Sequence, residues 1–267
     1  MSEDILLQVV SAVESSPVYS LQLDESTDVA SCSQLIVYVR YLDKEENDDV
    51  VTKFFCSRIW GQAVRGVDCG EEAAQWLSEV LYKGEMGVRL LYTAKVMKSR
   101  PPRRLDYYDF PQIQNNDTMY YADTSAYNVA SQSSLEDLNS RLAQPIEMKN
   151  FRPNIVICRA PPFAEDDWLY LKIGDAVFRK IKPCERCLLT TVDPKSYERD
   201  PNQEPLSTLR TYRLIKDPPK LAKVWATKPV FGANMAIDIG GSISVGDKVF
   251  AATVSKNPSF SIFHDMD

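Results

Sequence analysis

Short apolar segments bounded by turn residues recur through the second half of the chain, and their spacing constrains the fold more than any other feature of the sequence. Short strands at regular spacing are typical of a β-barrel. Gly174-Asp175 and Gly240-Gly241 each separate two neighbouring segments, as turn residues do. The predicted strands cover residues 154–158, 170–173, 176–181, 188–192, 235–239 and 243–250.

Two helical patterns precede most of these strands. Acidic residues after Asp68 open a predicted helix that ends near Gly84, a residue suited to a helix C-terminus. A second, short helix is predicted to begin at a capping box over residues 133–136. We therefore expect an α+β fold that is rich in strands. The apolar face of the first helix is predicted to consist of Ala73, Ala74, Leu77, Val80 and Leu81.

The first 57 residues form a separate pattern of one helix (4–15) and strands at 18–24, 34–42 and 50–56. A unit of this size buries little apolar surface by itself. It is also acidic, with eleven acidic and three basic residues, whereas residues 58–267 hold 26 acidic and 28 basic residues. Because an acidic surface cannot neutralise phosphates, we expect no nucleic-acid partner.

Composition excludes several other classes of protein. No run of about 18 apolar residues predicts a transmembrane helix, and the acidic start matches neither a signal peptide nor a transit peptide. Six cysteines in 267 residues indicate a reducing compartment rather than a disulfide scaffold. The single histidine, His264, lies near the C-terminus, so imidazole bases and metal ligands are scarce.

Cys184 and Cys187 form a Cys-x-x-Cys segment for which spacing alone leaves four interpretations open. A zinc site needs about four ligands, and no second Cys-x-x-Cys or histidine cluster is present. A thioredoxin-like pair should begin a helix, whereas residues 188–192 are strand-like. The other two interpretations are a pair of structural thiols and a single thiolate bound to a soft metal. The nearby cations Arg179, Lys180, Lys182 and Arg186 would favour a thiolate.

Motifs spread over residues 59–250 resemble the mitochondrial amidoxime-reducing component, a family of MOSC-domain proteins. The most specific are DCGEEAAQWL at 68–77, NFRPNIV at 150–156 and PCERCLLTTVDP at 183–194. They are accompanied by WG at 60–61, LEDLNSRL at 135–142, EDDW at 165–168, KIGD at 172–175, EPLSTLRTYR at 204–213 and ISVGD at 243–247. The resemblance covers roughly 190 residues in order.

The resemblance implies a MOSC-type β-barrel, a molybdenum-molybdopterin cofactor and reduction of small N-hydroxylated compounds such as amidoximes. It assigns the metal ligand to the second cysteine of the Cys-x-x-Cys, Cys187, and it places Arg152 at the anionic end of the cofactor. A guanidinium suits a phosphate because its donors match the oxygens. The resemblance also implies cofactor contacts from Asn154, Asp123, Ser125 and Arg186, and pyridoxal phosphate binding as a further family property.

Each of these residues also has a purely structural interpretation. Arg152 would pair with a carboxylate such as Asp166, and Asn154 would cap a turn. Asp123 and Ser125 would be solvated loop residues, and residues 165–167 a solvated acidic face.

Electron donors and location follow from the resemblance alone. In the family, electrons come from NADH through cytochrome b5 reductase and cytochrome b5. The implied location is the mitochondrial outer membrane. The family's membrane anchor and the N-terminal half of its β-barrel have no match here, so a cytoplasmic protein is the other expectation.

Residues 1–57 resemble a different family. LQLDESTD at 21–28 and QLIVYVRY at 34–41 are similar to part of an hAT-type transposase-derived (zinc-finger BED-type) protein. Asp24 would be the first catalytic aspartate of its RNase H-like fold, at a strand end, but strand chemistry of that kind needs several carboxylates, so we expect no transposase activity.

The expected organisation is therefore chimeric. A small αββ fragment (1–57) precedes a partial MOSC N-terminal-like domain (58–132), a MOSC domain (133–254) and a tail (255–267). Two alternatives to an active reductase are open: a folded but inactive MOSC remnant, and a transposase-derived interaction module.

Overall fold

In the computed structural model, the residues described are 20–27, 33–40, 54–59, 61–84, 87–93, 99–102, 108–253 and 264–265. The backbone forms two compact units, one of residues 1–100 with 119–123 and one of residues 101–118 with 124–267. These limits differ from the predicted boundaries at residues 57 and 132. The predicted helix 4–15 lies outside the described residues.

The first unit contains one five-stranded sheet in the order β1-β2-β5-β4-β3. Neighbouring strands are antiparallel except for β2 and β5, which are parallel. Its elements are β1 (Ser20–Thr27), β2 (Ser33–Arg40), β3 (Phe54–Ile59), β4 (Gln62–Asp68), α1 (Glu71–Tyr82) and β5 (Leu90–Tyr92).

Two expectations for the first 57 residues change. Asp24 lies inside β1, opposite Ile36, and not at a strand end. The predicted boundary at residue 57 falls within β3, which pairs along its whole length with β4. The strand pairing gives no support to an RNase H-like fragment, so the transposase resemblance remains a prediction from the sequence.

Helix α1 confirms three of the five residues of its predicted apolar face. Ala73, Ala74 and Leu77 are buried, but Val80 and Leu81 are 58% and 40% exposed. The prediction was wrong for these two because the buried stripe covers only the first two turns. The helix ends with Lys83 and Gly84 both in the left-handed region, so the predicted role of Gly84 is shared between two residues.

The second unit contains a seven-stranded sheet in the order β12-β11-β8-β9-β10-β6-β7, a curled sheet consistent with half of a barrel. Its strands are β6 (Tyr127–Ser131), β7 (Ile155–Ile157), β8 (Trp168–Ile173), β9 (Ala176–Glu185), β10 (Val230–Ile239), β11 (Val249–Thr253) and β12 (His264–Asp265). Its helices are α2 (Gln132–Asn139), α3 (Leu206–Tyr212) and α4 (Pro219–Val224), with 3₁₀ helices at Met148–Asn150, Ala164–Asp166 and Leu188–Thr191. The fold is mixed α+β and strand-rich, as predicted.

Antiparallel pairing joins β8, β9 and β10, and the turn between β8 and β9 is the predicted Gly174-Asp175 pair. Gly174 has φ +52°, and only glycine fits at this position, since a Cβ atom would lie 2.5 Å from the Ser242 carbonyl oxygen. His264 pairs with Ala251 in the sheet, so part of the predicted tail is a strand.

The largest apolar cluster of this unit packs around β8, β9 and β10. Along β8, Trp168, Leu171 and Ile173 are buried while Lys172 is exposed. A second cluster joins α2 to the loop before β7, where the rings of Phe151 and Phe231 stack with centroids 3.8 Å apart. This packing places the residues after Phe151 beside β10.

The predicted strand 243–250 begins only at Val249. Residues 244–247 form a turn in which Ser244 N donates to Asp247 Oδ2 at 2.7 Å, and Gly246 has φ +94°. Turn hydrogen bonds from Asp and Ser therefore override the apolar pattern.

Candidate functional site

The two sulfurs of the Cys-x-x-Cys segment have different surroundings. Cys184 is the penultimate residue of β9 and is half-buried. Burial raises the pKa of its thiol, and the charge of Arg186 opposes this effect. Cys187 is exposed at the start of the 3₁₀ helix that follows. Cys184 is thus kept as a neutral thiol, whereas the sulfur of Cys187 is accessible.

The residues after Cys187 are not the buried strand that the sequence predicted. They form a 3₁₀ helix in which Leu188 and Leu189 are 42% and 48% exposed. Thr190 Oγ1 donates to the Cys187 carbonyl at 2.9 Å, and Thr191 Oγ1 donates to the Leu188 carbonyl at 2.7 Å. Threonine hydroxyls that bond local carbonyls favour a turn over a strand.

A predicted strand after Cys187 had disfavoured a thioredoxin-like redox pair. Because a 3₁₀ helix follows Cys187 instead, that argument no longer applies. A redox pair of that class needs one thiol with a lowered pKa. The raised pKa of Cys184 disfavours this thiol as the reactive one of such a pair.

Most cations expected to favour a thiolate at Cys187 have other partners. Arg179 Nη2 contacts Asp117 Oδ1 at 2.5 Å, and Arg179 also contacts Asp238. Lys182 Nζ lies 2.5 Å from Glu185 Oε2. Lys180 Nζ donates to two backbone carbonyls. Arg179 and Lys180 are therefore held by groups of their own, whereas the charge of Lys182, like that of Arg186, still acts to lower the pKa of the Cys184 thiol.

Arg152 has an unusual backbone. Its φ is +52° although it is not glycine, and Pro153 follows it. The left-handed region is uncommon for such a residue, and strain of about 1–3 kcal/mol persists only where neighbouring contacts enforce it. Loss of hydration lowers the pKa of the Arg152 guanidinium, and the charge of Cys187 acts in the opposite direction. The residues that directly precede Arg152 and Cys187 are joined, because Arg186 Nη1 donates to the Phe151 carbonyl at 2.9 Å.

The carboxylate considered as a partner for Arg152 is engaged by another residue. Asp166 Oδ2 lies 2.7 Å from Arg213 Nη1, and Asp166 Oδ1 accepts from Arg213 Nη2 at 2.9 Å. The structural interpretation of Arg152 as the partner of Asp166 is therefore not supported.

The sequence predicted that Glu165 belongs to a solvated acidic face, and this prediction was wrong. It is fully buried, and burial raises the pKa of its carboxyl group. Ser134 Oγ donates to Glu165 Oε2 at 2.9 Å and accepts from Phe163 N at 2.7 Å. The predicted capping box at residues 133–136 was wrong: α2 begins at Gln132, so Ser133 lies inside the helix, and no side-chain hydrogen bond caps its N-terminus.

Three predicted site residues make well-defined contacts inside the second unit. Asn154 Oδ1 accepts from Asn128 N at 2.7 Å. Ser125 is buried, and its Oγ lies 3.0 Å from Asn234 Oδ1 and 2.8 Å from the Tyr127 carbonyl, so it is not a solvated loop residue. Arg186 is buried and bonds three groups described below.

Asp123 is exposed and belongs to the first unit, so its predicted cofactor contact stays a prediction.

Sequence reasoning missed Asn128 and Asn234. They face each other across β6 and β10, and Asn128 Nδ2 lies 3.4 Å from Asn234 Oδ1. Each interrupts an apolar strand pattern with an amide, and a polar residue in a buried strand was the signal that could have indicated them.

Over the part of the chain that the structure describes, no group of three or more His, Cys, Asp or Glu side chains is arranged to bind a metal ion. The zinc interpretation of the Cys-x-x-Cys therefore gains no support there. Within the same residues, no helix is both long enough and apolar enough to cross a membrane.

Comparisons with known proteins identify the family of this chain. A family model described as the MOSC domain matches residues 116–250. The chain is 42% identical over 193 residues to mitochondrial amidoxime-reducing component 1 of Mus musculus, covering 72% of this chain and 54% of that protein. It is 38% identical over the same length to component 2 of Bos taurus and to component 1 of Homo sapiens, covering 72% of this chain and 55% of each relative.

The chain thus spans about half the length of the curated relatives that it matches. Within the second unit, the exposed Cys187 and the strained Arg152 lie in the matched region. The chain belongs to the MOSC-domain family and is similar to the amidoxime-reducing components within it.

Proposed function

We propose that this protein is a molybdenum-cofactor-dependent reductase of N-hydroxylated compounds in which the Cys187 thiolate holds the metal. The observation that carries the proposal is that the exposed thiol Cys187 directly follows Arg186, whose guanidinium donates to the Phe151 carbonyl immediately before the strained Arg152. Strained residues cluster at ligand sites, where the rest of the fold holds them.

The side chains of Cys187 and Arg152 suit the two ends of a molybdenum–molybdopterin cofactor, its metal and its phosphate. Thiolate sulfur is a ligand for soft metals, and a guanidinium binds phosphate through paired donors. Because Asn154 Oδ1 is engaged by the Asn128 backbone, Asn154 would offer its Nδ2 donors to the pterin. Of the Cys-x-x-Cys pair, Cys187 is the better ligand, since the raised pKa of Cys184 keeps that thiol protonated.

The bound cofactor would supply the two-electron chemistry that removes oxygen from an N–OH group. The overall change consumes two electrons and two protons and releases an amine-type product and water. The residues of this chain would hold the cofactor and orient the substrate. Leu188 and Leu189, exposed directly after Cys187, would form apolar surface beside the reacting group.

Three further predicted contacts belong to this proposal. The cofactor contact that the family resemblance assigns to Asp123 remains a prediction. Ser125 and Arg186, both buried, would support the pocket from within and not from its surface.

The names of the relatives support a mitochondrial location and an oxidoreductase role. We propose NADH, cytochrome b5 reductase and cytochrome b5 as the electron source, and the outer membrane as the location. No observation in the described residues supports pyridoxal phosphate binding, which remains a prediction.

Turnover of benzamidoxime by the purified full chain tests the proposal, with NADH, cytochrome b5 reductase and cytochrome b5 supplied. Cys187→Ala should abolish reduction to benzamidine, and Cys184→Ala, the matched control three residues away, should retain much of it. Activity that survives Cys187→Ala would refute the ligand assignment. A wild-type chain that holds molybdenum without turnover would favour the inactive-remnant alternative.

A further inference from the structure

Arg186 lies between the two cysteines, and its guanidinium holds the backbone that precedes Arg152. Its Nη1 donates to the Phe151 carbonyl at 2.9 Å, and its Cζ lies 5.3 Å from the centre of the Phe151 ring. Because Phe151 directly precedes Arg152, this contact fixes one end of the Arg152 turn, defined here as residues 151–154.

Asn128, in β6, holds the other end of the Arg152 turn. Its backbone N–H donates to Asn154 Oδ1 at 2.7 Å, and its carbonyl accepts the Asn154 N–H at 2.8 Å. The side chain of Asn128 then joins the two ends, because its Oδ1 accepts from Arg186 Nη2 at 3.0 Å. The residues on both sides of Arg152 are therefore held by one pair, Asn128 and Arg186.

A bulge in β10 provides room for this pair. The pairing of β10 with β9 shifts register between Val230 and Ala233. The Phe231 carbonyl within this bulge accepts from Arg186 Nε at 2.7 Å. Three of the five N–H donors of Arg186 are thus used inside the protein, which indicates a role in positioning more than in direct contact with a ligand.

We propose that Asn128 is a positioning residue that, through Arg186, fixes the separation between Arg152 and Cys187 and thereby strengthens cofactor binding. The inference rests on the proposed function. Loss of the Asn128 oxygen would leave a buried donor of a charged group without its acceptor, which is costly. The strained Arg152 turn would then relax away from Cys187. Partners that orient the direct ligands of a metal site change its affinity by about 10- to 100-fold.

The test measures the rate of cofactor release from holoprotein, followed by molybdenum content and pterin fluorescence after repeated gel filtration. Asn128→Leu should release cofactor about 10- to 100-fold faster than wild type. Asn128→Asp, which keeps an oxygen for Arg186, should release it more slowly than Asn128→Leu. Asn139→Leu removes an amide that bonds the Ile146 backbone elsewhere in the same unit, and should match wild type.

Two readouts separate positioning from general destabilisation. In an Arg152→Ala background, Asn128→Leu should add little to the release rate, because residues that act through one another are not additive. Hydrogen exchange of the Asn154 amide in cofactor-free protein should be faster in Asn128→Leu and unchanged in Asn139→Leu.

The inference is overturned if Asn128→Leu releases cofactor at the wild-type rate, or if its effect is undiminished in the Arg152→Ala background. Both of these results leave the proposed function intact. Wild-type protein that binds no cofactor would instead refute the proposed function, and this inference with it, whatever the exchange rate of the Asn154 amide.

Discussion

At the scale of single residues, burial and not charge count decides what the ionisable groups can do. Lys182 and Arg179, which the sequence suggested as activators of Cys187, are paired with carboxylates. Cys184 is disfavoured as a metal ligand because burial keeps its thiol neutral. Charged residues near a cysteine in the sequence therefore do not predict whether its thiol is ionised until the partners of each charge are known.

Glu165→Gln should stabilise the protein at neutral pH and not at acid pH. Burial raises the pKa of the Glu165 carboxyl, and Oε1 of this group has no hydrogen-bond partner. A carboxyl whose pKa is higher in the folded than in the unfolded chain favours folding fully below its unfolded value, and that contribution is lost as the pH rises through its folded value. The glutamine variant lacks this loss.

Urea unfolding at pH 4 and pH 8 checks this prediction. The stability difference between Glu165→Gln and wild type should rise by about 1–2 kcal/mol between the two conditions. Glu136→Gln, the same exchange at an exposed position of α2, controls for the substitution itself. A difference that is independent of pH would show that Glu165 is ionised within the fold.

At the scale of secondary-structure elements, the bulge in β10 determines where the Arg186 guanidinium lies. Gly232 within it has φ +79°, and a Cβ atom there would lie 2.7 Å from the Val129 carbonyl oxygen and 3.2 Å from Arg186 Nη2. Bulges re-aim backbone groups locally. Here the bulge turns the Phe231 carbonyl toward Arg186 and leaves space for the guanidinium.

Gly232→Ala should therefore destabilise the protein and displace Arg186. We expect a loss of about 1–3 kcal/mol in the free energy of unfolding, since both the backbone strain and the close contact oppose the new methyl group. Gly240→Ala is the matched control, because a Cβ atom there meets nothing within 4 Å. Equal unfolding midpoints in urea for the two variants would contradict the role assigned to the bulge.

Strands on either side of a glycine turn could be predicted from the sequence, and apolar segments held in turns by side-chain hydrogen bonds could not. The β8–β9 hairpin was predicted correctly because two apolar segments flank the Gly174-Asp175 turn. The strand predictions for residues 188–192 and 243–248 were wrong, because local hydrogen bonds of the Thr190, Thr191 and Asp247 side chains hold these apolar segments in turns. Apolar character alone does not distinguish these cases.

The candidate site was predictable only in part. Cys187 and Arg152 came from motif resemblance, and in the structure the residues that directly precede them, Arg186 and Phe151, are joined by a hydrogen bond. A polar residue in an apolar strand pattern could have marked Asn128, but its role could not be predicted, because that role depends on β6 and β10 pairing across more than 100 residues of sequence.

At the scale of the whole chain, the MOSC match and the second unit largely coincide, from residue 116 to residue 250. The relatives are about twice as long as the region that they share with this chain. Whether the residues of this chain suffice to retain the cofactor is therefore the decisive physical question.

Molybdenum content per chain answers that question most directly, measured by mass spectrometry on protein purified from cells that make the cofactor. We predict about one molybdenum atom per chain in wild type and in Cys184→Ala, and none in a Cys187→Ala variant that retains its fold by circular dichroism. Wild-type protein without molybdenum, or Cys187→Ala protein with as much as wild type, would contradict the account.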